Sequence, residues 1–169
     1  IRDLKEMINS VVGRYPDKTA FLSKVGGEYV PTTYKEFLSD INGLGTKLFD
    51  MGLKDAFIGV IGENRYEWCV SYMAVANGTG VVVPLDKELS VKELLYIANE
   101  SNLKMIVFSD KYRSKVLEVA QICDSIEHLV CMDEPKGDEL SMQEMIAAGN
   151  ELIENGVNVF LEAEIDPRE

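Results

Sequence analysis

The 169-residue sequence has one histidine, one tryptophan, three cysteines and five prolines, and it sets only 17 basic residues against 29 acidic ones. Each shortage excludes something. His128 is the single imidazole and lies in no cluster of ligand residues, so it makes a poor metal site. Any Ser-His-Asp or Cys-His relay would have to use this one residue. Cys69, Cys123 and Cys131 are an odd number without metal-type spacing, which fits reduced thiols and a cytoplasmic location. No uninterrupted apolar run approaches the roughly 20 residues that span a bilayer. The N-terminus, IRDLKEMINS, lacks the apolar core of a signal peptide, so no membrane anchor is expected. No Gly-Lys-Ser or Gly-Lys-Thr occurs, which rules out a P-loop. The formal net charge of -12 leaves no basic face for nucleic acid.

What is present suits one domain with a real core. Hydrophobic residues make up 46% and charged residues 27%, ordinary values for a globular chain. The negative charge is concentrated late. Residues 133–169 carry 11 acids against Lys136 and Arg168, a net of -9, which reads as a solvated face or edge. The first residue is not methionine, and the alternating run VNVFLEAEI leads straight into the final IDPRE. The expectation is an excerpt of a longer protein.

Periodicity divides the chain into alternating elements. Leu4, Met7, Ile8, Val11 and Val12 form a helical stripe from Asp3 to about Tyr15, where Pro16 stops it. TAFLS (19–23) and EYVPT (28–32) read as a hairpin turning at Gly26-Gly27. Thr33 with Glu36 permits a capping box for a helix that carries Phe37, Leu38, Ile41, Leu44, Leu48 and Phe49 and stops at Gly52. AFIGVIG (56–62) is a buried strand, followed by a helix over roughly 65–77 and a core strand at Gly80–Val83. Ser90 with Glu93 caps a helix through about Glu100. KMIVFS (104–109) is a strand, 112–122 a helix and EHLVCM (127–132) a strand. Ser141 with Glu144 caps a last helix that ends near Asn155-Gly156. Strands alternating with helices predict an α/β fold, a mainly parallel sheet covered on both faces.

The candidate motifs resolve mostly into scaffold. Gly59 and Gly62 give only Gly-x-x-Gly, and Gly78-Thr79-Gly80 precedes a strand, the reverse of a dinucleotide fingerprint, so these glycines read as a helix stop. Cys69 and Cys123 sit on apolar helical faces as small hydrophobes. Asn77 and Asn99 begin glycosylation triplets that a cytoplasmic protein does not use. Glu63-Asn64-Arg65 is the sharpest polar cluster, at the carboxyl end of a buried strand where ligands gather in open α/β sheets. Helix capping by Glu63 or Asn64, with Glu67 at the positive helix end, is favoured over ligand contact. Trp68 reads as a core or intramolecular contact.

The order of segments resembles the N-terminal part of adenylate-forming (AMP-binding) acyl-CoA synthetases. The residues that carry it run from about Tyr15 to Phe108: the Pro16-Asp17-Lys18-Thr19-Ala20 entry, Thr33-Tyr34-x-Glu36, Met51-Gly52-Leu53, Glu63-Asn64-Arg65, and the Ala76 to Asp86 stretch with Gly80 central. The Asn64-Arg65-x-Glu67-Trp68 form is most similar to the long-chain fatty acid branch, which commonly has proline where this chain has Tyr66. The resemblance implies a ligase that activates a carboxylate as an acyl-adenylate, using ATP and Mg²⁺, and passes the acyl group to coenzyme A. It implies that residues 1–169 are the N-terminal subdomain of the AMP-binding domain, acidic over 133–169, with the phosphate loop expected after Glu169 and the C-terminal domain outside. No catalytic, cofactor-binding or metal-binding residue is assigned within the chain, and none of these ligands is expected to bind it alone. A fatty acid or related carboxylate, ATP and CoA are partners of the whole enzyme, and a homodimer is possible for this class. The alternatives are a non-catalytic scaffold or binding module of the same fold, and an aryl or amino-acid activating enzyme.

Overall fold

The computed structural model describes residues 1–166. Helix α1 (Leu4–Arg14) starts at Asp3, whose carboxylate accepts the Glu6 N–H at 2.7 Å. Strands β1 (Thr19–Val25) and β2 (Glu28–Thr33) pair antiparallel as a separate two-stranded sheet. The turn between them needs positive φ at both residues, supplied by Gly26 (58°) and Gly27 (92°). Helix α2 (Tyr34–Asp50) forms the reciprocal capping box between Thr33 and Glu36 and buries Phe37, Ile41, Leu44 and Leu48.

The main sheet has five parallel strands in the order β4-β3-β5-β6-β7. They are β3 (Phe57–Ile61), β4 (Val81–Pro84), β5 (Met105–Phe108), β6 (His128–Cys131) and β7 (Leu140–Ser141). Alternate residues face opposite sides. Ile58, Val60, Met105, Val107 and Val130 join α1, α2, α3 (Tyr66–Ala74) and α6 (Met142–Glu154) in one core. Ile61, Ile106, Phe108 and Cys131 join α4 (Val91–Glu100) and α5 (Arg113–Ile122) in a second. Both faces are therefore covered, as a parallel sheet requires.

Three expectations change. Gly80–Val83 is no core strand: β4 lies at the sheet edge, with Val81 45% exposed and Val82 and Val83 half-buried. Helix α3 ends at Ala74 and passes into a π-turn at Val75–Thr79, where Gly78 takes φ 129° and the Thr79 hydroxyl donates to the Ala74 carbonyl. At Ser141 only half of the capping box forms, its hydroxyl accepting from the Glu144 N–H, because Leu140-Ser141 is drawn into β7 beside β6. The run 157–165 forms neither helix nor strand, and its Phe160 is fully buried. Pro167–Glu169 lie outside the described residues.

Two close approaches set the geometry. A Cβ on Gly80 would overlap the carbonyl oxygen of Ala56, where the chain enters β4. A Cβ on Gly149 of α6 would overlap the carbonyl of Gly43 in α2, so these helices touch backbone to backbone. Neither neighbour is a side chain that can swing away. Gly149→Ala is expected to destabilise the fold by about 3 kcal/mol or more in urea denaturation. Gly13→Ala, in open space on exposed α1, should be neutral or stabilising by about 0.5–1 kcal/mol.

Candidate functional site at the carboxyl edge of the sheet

In order of entry the main-sheet strands lie 2-1-3-4-5, so the chain reverses direction between β3 and β5. The helices that follow these two strands pack in different cores, α3 in one and α5 in the other. Doubly wound sheets open a ligand crevice at such a reversal. Here the molecule's own side chains fill it. After β3 comes Gly62-Glu63-Asn64-Arg65, and after β5 comes Ser109. The buried Ser109 hydroxyl donates to Glu63 Oε2 at 2.5 Å, tying the two loops together. Burial pushes the Glu63 carboxyl up, but the Ser109 hydrogen bond and nearby cations outweigh it and leave its pKa below the ordinary value.

A second tie joins three loops. Arg65 Nε donates to Glu67 at 2.7 Å and Nη1 to Asp133 at 2.8 Å. The other Asp133 oxygen accepts the Asp110 backbone N–H at 2.7 Å. One carboxylate thus holds the turns after β3, β5 and β6. Partial burial works against the Arg65 charge, yet its two carboxylates win and raise its pKa further. Arg65 itself is the N-cap of α3, without a side-chain cap, so neither Glu63 nor Asn64 caps the helix. The capping expectation fails for Glu63, whose carboxylate is claimed by Ser109, while Glu67 does stand in the first turn of α3.

A third tie lies beside it. Arg113 opens α5 and meets Glu139 through Nε at 2.8 Å, with side chains only 10% and 4% exposed. The guanidinium also pairs with Asp110 and donates to the Cys131 sulfur at 3.2 Å and the Glu134 carbonyl at 2.7 Å. Asp133 and Glu139 belong to the acidic end expected to be a solvated face, so that reading is corrected for these two residues. Long-range partners of this kind leave no signal in local spacing.

The remaining candidates are structural. Tyr66 donates to Asp40 Oδ2 at 2.7 Å and packs edge-on against Phe21, with centroids 5.1 Å apart. Burial raises the Asp40 carboxyl, with the Tyr66 hydrogen bond opposing, and it raises the Tyr66 phenol together with Asp40. Trp68 stacks on Tyr72 at 5.4 Å and borders a groove of about 670 Å³ between β1 and the first turns of α3. Cys69 is only half-buried, and Cys123 is the buried C-cap of α5, where its thiol meets Asn99. Asn77 is 1% exposed, which excludes glycosylation there. His128 begins β6, half-buried. No group of three or more potential metal ligands occurs among the described residues, nor any helix long and apolar enough to cross a membrane. At the reversal Glu63, Glu67, Asp110 and Asp133 are offset by Arg65, Lys111, Arg113 and Lys136, so the edge is a paired cluster and not a field of one sign.

The family model for AMP-binding enzyme matches residues 8–162. The chain is 32% identical over 146 residues to 4-hydroxybutyrate–CoA ligase 2 of Metallosphaera sedula, covering 85% of this chain and 26% of that protein. It is 32% identical over 94 residues to fatty acyl-CoA synthetase A of Dictyostelium discoideum, covering 55% and 14%. The chain therefore spans about a quarter or less of these curated relatives. Among solved structures it is similar to the A-PCP didomain of carboxylic acid reductase from Segniliparus rugosus, with TM-score 0.77 and 17% identity over 88% of this chain and 26% of that one. The N-terminal domain of FACL13 from Mycobacterium tuberculosis gives TM-score 0.74 and 18% identity, over 88% and 36%.

Two measurements test the ties. Because its hydrogen bonds from Arg113 and the Lys136 N–H outweigh burial, Glu139 titrates below the ordinary carboxylate value. A depressed carboxyl stabilises the fold above the unfolded pKa near about 4.3 and loses that contribution as pH falls through the folded value. Glu139→Gln should cost about 3 kcal/mol near neutrality and show a shallower acid loss below about pH 5 in pH-dependent denaturation. Tyr66→Phe should cost about 1 kcal/mol and raise the Asp40 pKa in an NMR titration, since the carboxylate loses its donor. An unmoved Asp40 would contradict the bond.

Proposed function

The chain belongs to the AMP-binding enzyme family, and from that premise we propose that it supplies the N-terminal α/β unit of an ATP-dependent fatty acid–CoA ligase. The observation that carries the proposal is the family match over residues 8–162, on a sheet whose carboxyl edge is closed by its own side chains. In the proposed reaction a carboxylate oxygen attacks the α-phosphorus of ATP, forming an acyl-adenylate and releasing pyrophosphate. The thiol of coenzyme A then attacks the acyl carbonyl, and AMP leaves. Mg²⁺ would screen the phosphates.

The described residues contribute support to this scheme. The Asp133 bridge and the Glu63–Ser109 bond hold the loops after β3, β5 and β6 in one arrangement, so neighbouring parts of the enzyme meet a rigid surface. The charged groups at this edge are already partnered with one another, so ATP is assigned to groups outside residues 1–169, and this chain alone is assigned no activity. Fatty acids are the proposed substrate class on the Asn64-Arg65-x-Glu67-Trp68 form and the Dictyostelium relative. The fold does not discriminate among acids: the anthranilate CoA ligase AuaEII gives TM-score 0.76 at 16% identity. A cytoplasmic location belongs to the same proposal and rests on three free thiols.

Pyrophosphate release by the full-length enzyme with short-, medium-, long-chain and aryl carboxylates tests the reading. A fatty acid should give kcat/KM at least about tenfold above benzoate. Residues 1–169 alone should release none. Activity from that piece would refute its supporting role, and silence from the full enzyme with every acid would refute the ligase.

A further inference from the structure

The sequence holds three Asn-Gly pairs, at 42–43, 77–78 and 155–156. Such a pair can react with itself, because the glycine nitrogen reaches the asparagine Cγ unhindered by a Cβ. Attack needs a base to take the glycine N–H proton, and it needs the asparagine ψ to swing well away from helical values. The fold therefore decides which pair reacts. Asn42 and Gly43 lie inside α2, where the helical ladder fixes ψ, and a Cβ on Gly43 would stand 2.6 Å from the Ile146 carbonyl oxygen. Moving that peptide would part α2 from α6. Asn77 and Asn155 share a similar backbone, with ψ 16° and 9°, so access to water separates them. Asn77 is 1% exposed inside the π-turn, which the Gly80 N–H closes by donating to the Val75 carbonyl. Asn155 and Gly156 are both exposed.

We propose that Asn155 is a spontaneous modification site, at which the Gly156 nitrogen converts the side-chain amide to aspartate and isoaspartate. The bond from Gly156 N to Asn155 Cγ forms and the Cγ–Nδ2 bond breaks. The Gly156 proton passes to solvent base, and Nδ2 leaves as ammonia with a proton from water. Water then opens the succinimide at one carbonyl or the other. What restrains the pair is a helix-end closure, in which Gly156, at φ 91°, donates to the Ile153 carbonyl and Val157 to the Leu152 carbonyl, each at 3.0 Å. Solvent-facing helix ends are where helices open first. Either product sets a carboxylate at the negative end of α6, where Glu151 and Glu154 already stand. Isoaspartate also adds one carbon to the main chain just ahead of 157–165. That segment seats Phe160 against Gly45 of α2 and supplies the two carbonyls that hold Lys5. The change is thereby passed to α1 and α2.

The test is ageing of the full-length enzyme in mildly alkaline buffer, followed by peptide mass mapping of all three pairs. Methyl transfer by a protein-isoaspartate methyltransferase reports the isoaspartate product. Asn155 should convert at least about tenfold faster than Asn42 and Asn77, which only a larger opening exposes. In urea the three rates should draw together, since the other two pairs lose their protection. Conversion at Asn155 no faster than at either other pair in the native enzyme overturns the proposal. The same ranking in urea also overturns it, since local sequence and not the fold would then set the rates. Asn155→Gln, at an exposed position, should form no isoaspartate there and hold its melting temperature through ageing, whereas the unsubstituted enzyme loses some. An equal fall in both would refute the transmission through Phe160.

Discussion

The contact of α2 with α6 at Gly43 and Gly149 governs how the rest of the molecule is arranged. Helix α2 comes before the main sheet in the chain and α6 comes after it, so their meeting closes one face of the sheet around both ends of the sequence. A nearer approach of the axes also lets a large ring settle against α2. Phe160 lies where a Cβ on Gly45 would be, and Lys5 of α1 donates to the carbonyls of Phe160 and Ala163. The first helix is thereby pinned to the last turn. Interiors packed at crystal-like density transmit such a constraint, because nothing between the helices can yield.

The carboxyl edge of the sheet follows a different logic. A doubly wound sheet leaves a crevice where its connections diverge, and in this chain polar side chains occupy that crevice in satisfied pairs. Glu63 with Ser109, Arg65 with Asp133, and Arg113 with Glu139 each join segments far apart in sequence. Removing one partner leaves a half-buried charge or hydroxyl without its complement, which is why such ties hold a unique arrangement even when their net contribution is modest.

Much of the fold was legible from local pattern. Both Thr33–Glu36 and Ser90–Glu93 form the full capping boxes their spacing allows, and Gly52 takes the left-handed position after α2. The buried strand over Phe57–Ile61 shows in its unbroken apolar run. Less of the candidate site could be read. The turn at Glu63-Asn64-Arg65 was located, but its roles were not, since Ser109 and Asp133 are 46 and 68 residues away from their partners. Val81 to Val83 show the same gap: three valines announce a strand but not whether it lies at the centre or edge.

Residue spacing decides matters that end within a few residues, such as where a helix starts, which stripe it buries, and where glycine must turn the chain. The order of those signals was also enough to indicate the enzyme family. Strand order, the edge position of β4, the backbone contact of α2 with α6 and the pairing of acids at the sheet's carboxyl edge came from the folded chain. These depend on which segments meet across long loops. A carboxylate carries the same local signal whether it faces water or an arginine two strands away.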